Sequence, residues 1–171
     1  MRTILAFAFF ILTGTMLAQP PRMELKPTGF DPITVSIAAT PNDKLIELTK
    51  SWAMEFNRRE RDKVDITNVT ANSMTVSAYR KNAFSYSNRG ETFYQKIHYN
   101  MDIVFSGDSY TLTFTVTDIF ADDNKRLTYL LPDYFLPDGR AKEDYDDVKP
   151  TLEKSVNAIV RSHYNFITNY Q

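Results

Sequence analysis

One stretch of the chain, Ile97 to Val116, constrains the fold more than any other. Ile97, Tyr99, Met101, Ile103 and Phe105 alternate with His98, Asn100, Asp102 and Val104. Past Ser106-Gly107-Asp108-Ser109, Tyr110, Leu112, Phe114 and Val116 alternate with Thr111, Thr113 and Thr115. A period of two predicts strands with one buried face. Gly107-Asp108 suits a two-residue turn with glycine first, as type II′ requires. The register then pairs Phe105 with Tyr110, Ile103 with Leu112, Met101 with Phe114 and Tyr99 with Val116. A slip of one residue would send every large side chain to the wrong face. At ~1.5–3 kcal/mol per fully buried large side chain, this face alone can organise a core. The same register places His98 opposite Thr117 on the polar face.

The rest of the chain supplies partners for that hairpin. No proline occurs between Pro41 and Pro132, and proline is excluded from helix interiors and central strands. Ile33, Val35 and Ile37 alternate as a short strand. Thr40, Pro41 and Asp43 then read as an N-cap, a first helical residue and an acid at the positive end of a helix dipole. Leu45, Leu48, Trp52 and Phe56 recur at spacings of three and four and form its apolar stripe. Val64–Val69 and Met74–Tyr86 read as two further strands, the second joined to the hairpin through Ser87-Asn88-Arg89-Gly90. Leu152, Val156, Ile159, Val160, His163 and Ile167 mark a last helix, with Asp146 and Asp147 at its start and Pro150 in its first turn. The expected fold is α+β: a five-stranded antiparallel sheet with two helices packed on one face, in the order β-α-β-β-β-β-α.

The first 32 residues read differently. Arg2, the apolar run Ile4–Leu12 and the small Ala18 have the layout of a cleavable signal peptide over residues 1–18. The run is broken by Thr13, Gly14 and Thr15, which is short for crossing about 30 Å of hydrocarbon. Residues 19–32 hold four of the eight prolines and read as an extended, mobile lead-in to a single domain over 33–171. The expected product is exported, to the periplasm or the exterior, with no membrane span after cleavage. The chain has no cysteine, so disulfides, thiolate zinc sites and cysteine nucleophiles are excluded. The formal charge is −1, or −2 once Arg2 is removed. That is a poor basis for holding nucleic acid, whose phosphates need clustered cations.

The strand-to-helix segment Ile33–Phe56 with Trp52, the Ile97–Asp118 hairpin with its Gly107-Asp108 turn and Tyr110, and the terminal amphipathic helix together resemble a family of secreted bacterial proteins. This is domain of unknown function 4468, found mainly in Bacteroidetes. The resemblance implies a TBP-like fold and an exported protein; it brings no active-site residues. The connection 121–146 is where the chain departs from that pattern.

No constellation of residues announces a chemistry. There are two histidines, His98 and His163, and nothing in the spacing gives either the partners that acid–base or metal work needs. Asp122-Asp123-Asn124 and Glu143–Asp147 are acidic but lack the spaced ligands of a calcium loop, and read as turn formers and helix-start charges. No G-x-S-x-G, S-x-x-K or glycine-rich phosphate loop is present. Leu130, Leu131, Tyr134, Phe135 and Leu136 stand out as large apolar residues in an irregular connection, with Leu131, Tyr134 and Phe135 the candidates to contact a partner or ligand; the alternative is that they pack as a satellite core. The expected function is a non-catalytic binding domain of the bacterial cell envelope, without cofactor, for an unknown protein or small-molecule partner. The alternative is a carrier holding a small apolar ligand between the sheet and the C-terminal helix.

Overall fold

The computed structural model of the protein describes residues 19–60 and 63–170. The signal peptide expected over residues 1–18 lies outside them. A small hairpin comes first, β1 (Leu25–Lys26) and β2 (Gly29–Phe30), then β3 (Ile33–Ser36) and helix α1 (Asn42–Glu60). Four strands follow, β4 (Val64–Thr67), β5 (Ser73–Asn88), β6 (Glu91–Phe105) and β7 (Ser109–Phe120). A 3₁₀ turn at Leu131–Tyr134 and helix α2 (Val148–Asn169) complete the chain. The last five strands form one antiparallel sheet in the spatial order β3-β7-β6-β5-β4. This is the expected α+β arrangement, with β1–β2 added to it.

The four apolar pairs read from the alternation of β6 and β7 are the observed ones, Phe105–Tyr110 through Tyr99–Val116. Ile97, Tyr99, Met101, Ile103, Phe105, Tyr110, Leu112 and Phe114 are all buried on one face. Trp52 and Leu45 from α1, and Leu152, Val156, Ile159 and Ile167 from α2, complete that core. Gly107 takes φ +80°, and the Asp108 N–H donates to the Ser106 carbonyl at 3.0 Å, which makes Gly107 the centre of a γ-turn. Asn42 Oδ1 accepts the Gly107 N–H at 3.1 Å, so the start of α1 is tied to the tip of the hairpin. Thr40 does not cap α1 as its sequence position predicts: its hydroxyl donates to the Ala38 carbonyl at 2.9 Å.

Two differences from the sequence reading have clear causes. A bulge interrupts the β6–β7 register between His98 and Tyr99, so His98 pairs with Asp118 rather than Thr117. The chain places two residues between Val116 and Ile119, and one of them has no opposite number. The second difference is at the N-terminal end. Met23, Leu25 and Phe30 are buried, so the proline-rich lead-in is packed against the domain. Asn157 accepts the Met23 N–H at 2.9 Å and donates to the Met23 carbonyl at 2.9 Å. Glu153 accepts the Leu25 N–H at 2.9 Å while Lys149 donates to the Leu25 carbonyl at 2.6 Å. Positions four apart on a helix rise about 6 Å, close to the about 6.7 Å spanned by two strand residues. Side chains of α2 thus bond β1 much as a neighbouring strand would. Burial works against the Glu153 charge, but hydrogen bonds from Lys149 and Leu25 and the nearby Arg22 outweigh it and hold the carboxyl below its usual range.

Asn157→Ala leaves the buried Met23 groups unpaired and is expected to cost about 1–3 kcal/mol. Urea unfolding measures the loss. Hydrogen exchange at Met23 should accelerate with it, and unchanged protection there would contradict the account.

Candidate functional site

The histidines take opposite roles. His163 is fully buried. Its Nε2 lies 3.0 Å from Thr49 Oγ1, and its ring meets Trp52 and Tyr110 edge-on at 5.0 and 5.2 Å. Burial lowers its pKa to about 3. This is a neutral core imidazole.

His98 sits at the bulge, on the open face of the sheet. Its Nδ1 lies 2.7 Å from Thr117 Oγ1 and 3.4 Å from Asp118 Oδ2. The Thr117 hydroxyl donates to the His98 carbonyl at 3.2 Å, which leaves its oxygen to accept a hydrogen bond from Nδ1–H. Arg126 pairs with the other oxygen of Asp118. The Tyr79 ring lies beside the imidazole, tilted by 38° at 4.6 Å, and the Lys96 ammonium lies 4.4 Å from the Tyr79 ring centre. A His–carboxylate pair is present, but its wiring is not that of an activated nucleophile. That arrangement puts the acid on one ring nitrogen and the hydroxyl on the other. Here both lie on Nδ1. The cluster holds the His98 ring in place at the bulge.

Leu131, Tyr134 and Phe135 all point inward and are buried. The Tyr134 ring meets Phe84 at 5.5 Å and Tyr145 at 5.0 Å, both edge-on. Burial, then the neighbouring phenols of Tyr86 and Tyr145, raise its pKa well above the usual tyrosine range. These three residues form a satellite core rather than a contact surface. The exposed large apolar residues of the connection are Tyr129, Leu130 and Leu136, next to them in sequence.

The same connection builds a groove. After Phe120 the chain doubles back: Phe120 bridges to Arg126, the Ala121 N–H donates to the Lys125 carbonyl at 2.9 Å, and the Leu127 N–H donates to Ile119 at 2.8 Å. Asn124 at φ +64° and the Asp123 carboxylate, which accepts the Lys125 N–H at 2.9 Å, shape the turn. Meanwhile β5 and β6 continue beyond β7 as a two-stranded arm, Phe84–Asn88 against Glu91–Gln95, closed by Arg89 and Gly90 at positive φ in the manner of a type I′ turn. Between arm and turn lies a depression of about 320 Å³, lined by Tyr86, Thr92–Gln95, Ala121–Asp123 and Leu127. Leu127 also borders a second depression of about 350 Å³, which runs past Arg126 to Tyr129 and Leu130. Phe93, Tyr94, Tyr129 and Leu130 are the exposed large apolar residues along this path. Alternation read in the arm marks Phe93 and Tyr94 as neighbours that cannot both face inward, and that is the sequence signal for this surface.

The space between the sheet and α2, where a carrier would need its groove, is filled by side chains. Tyr99 stacks on Phe114 at 4.8 Å, and Phe30 meets Phe114 at 5.8 Å. Among the described residues no three of His, Asp and Glu converge as a metal site requires, and no helix is long and apolar enough to cross a membrane.

No family model and no curated protein matches the sequence. Solved crystal structures share the architecture. A TBP-like protein from Parabacteroides distasonis ATCC 8503 superposes with a TM-score of 0.59 at 16% identity, over 81% of this chain and 92% of that one. A DUF4468 family protein from Bacteroides ovatus ATCC 8483 gives 0.57 at 6% identity, over 86% and 87%. The fold is therefore TBP-like, in agreement with the resemblance read from the strand, hairpin and helix motifs. At these identities the likeness is one of fold.

Proposed function

We propose that the chain is an exported, non-catalytic binding domain of the bacterial cell envelope, and that its partner-facing surface is the groove between the β5–β6 arm and the 121–130 connection. The single observation that carries this reading is the line of exposed rings and aliphatic groups, Phe93, Tyr94, Tyr129 and Leu130, along two adjoining depressions. Aromatic residues placed this way are characteristic of recognition surfaces. The layout of residues 1–18 and the resemblance to a secreted family support the compartment. The wiring of His98, with both partners on one nitrogen, supports a binding role over a catalytic one.

Native mass spectrometry of the protein purified from its own envelope tests the reading. A retained protein or peptide partner is expected. A small apolar molecule released on unfolding would instead favour a carrier and overturn it.

A further inference from the structure

The groove has a polar edge as well as an apolar wall. β7 accompanies β6 only as far as the Lys96–Phe120 pair. Residues Glu91–Gln95 pair with β5 on one side, and among the described residues no strand runs along their other side. In a two-residue hairpin the residues flanking the turn, here Asn88 and Glu91, exchange both hydrogen bonds. The N–H and C=O groups of Thr92 and Tyr94 therefore point away from β5, into the groove. That is an edge on which another chain can add as a strand.

The lining states what that chain should carry. On the helix side of the slot the Tyr86 and Phe93 rings stack at 5.3 Å, and the exposed Asp122 and Asp123 line the same depression. Gln95 is only 4% exposed, and its Oε1 has no hydrogen-bond partner among the described residues. Carboxylates, ring faces and an unpaired carbonyl oxygen all favour a cationic N–H donor. On the opposite side, Lys81, Asn82 and Lys96 border the slot with Tyr94 and Asp122, a mixed lining with no preference for a cation. Strand side chains alternate between the two sides. We propose that an extended peptide with Lys or Arg at every second position adds to β6 at Thr92–Tyr94, its cations turned toward Asp122, Asp123 and Gln95 and its small polar residues toward the mixed side bordered by Asn82 and Tyr94. This rests on the groove being the binding surface and names the chemistry of its occupant.

The test is an NMR titration of the ¹⁵N-labelled protein with a blocked Lys-Thr-Lys-Thr-Lys peptide. Saturable shifts are expected at Thr92–Gln95 and Ala121–Asp123. N-methylation of one alternate set of peptide amides, the set facing β6, should weaken binding at least tenfold, and the other set should leave it nearly unchanged. The Glu-Thr analogue should bind at least tenfold more weakly, as should the parent peptide to the Asp122→Asn/Asp123→Asn protein. Equal binding by both methylated peptides would show attraction by charge without strand addition and would overturn the inference. So would equal binding of the Glu-Thr analogue, or shifts confined to another surface. If the peptide fails while a native partner is still captured at the groove, strand addition falls and the binding surface stands.

Discussion

Trp52→Ala is expected to destabilise the domain by about 3–5 kcal/mol, seen as a lower urea midpoint with an unchanged slope. Trp52 is 1% exposed. Its indole stacks on Phe56 at 5.4 Å, meets His163 edge-on at 5.0 Å and donates to Ser162 Oγ at 3.1 Å. The ring thus joins α1 to α2 as well as filling the core. Removing it opens a cavity at the junction of both helices and breaks the hydrogen bond to Ser162. Trp52→Phe keeps most of the packing and should recover more than half of the loss. A cost below about 1 kcal/mol for the alanine variant would contradict this packing.

Acid should weaken the protein through His163 before most carboxylates titrate. Burial lowers its pKa from 6.5 to about 3 in the folded state. Between those values the unfolded chain binds a proton that the folded chain refuses. Stability is then complete above the unfolded pKa and falls as pH drops, by about 1.4 kcal/mol per pH unit at most. From about pH 6 to about pH 4 the loss should be about 2–3 kcal/mol. Glu153, held below its usual range, adds a loss of the same sign only at the acid end of that window. Denaturant midpoints measured across the range give the slope for the wild type and for His163→Phe, which retains a ring beside Trp52 and Tyr110. The slope between about pH 6 and about pH 5 should fall in the variant by the His163 contribution. An NMR titration showing His163 of the wild-type protein protonating near its ordinary value would contradict the account.

What the sequence made legible was what one face of one element could carry. The Tyr99–Val116 to Phe105–Tyr110 register was readable because each pair joins large apolar residues with polar neighbours on both sides. The bulge at His98 was hidden because strict alternation has no place for an extra residue, although the spacing of Val116 and Ile119 by three marks where parity breaks. The β1–β2 hairpin was masked by four prolines. Its stabilising bonds come from Glu153, Lys149 and Asn157, more than a hundred residues away, so no local pattern announces them. The candidate groove was missed for a related reason. Leu130, Leu131, Tyr134, Phe135 and Leu136 drew notice as apolar residues in a loop, but Leu131, Tyr134 and Phe135 are buried and only Leu130 lies along the groove. The exposed surface instead combines Phe93 and Tyr94 of the arm with Leu127, Tyr129 and Leu130, an adjacency that only the doubling back after Phe120 creates.

The fold leaves the core face of β6 to the helices and frees its edge at Thr92–Tyr94, and that free edge is where the protein is expected to meet its partner. A photoreactive phenylalanine analogue at Tyr94, compared with the same probe at Val104, tests this most directly. Both positions are exposed and lie on the same strand, but only the first borders the groove. Irradiation in the protein's native cells should give a discrete adduct from position 94 and none from position 104. An adduct from 104 alone, or equal adducts from both, would contradict the account.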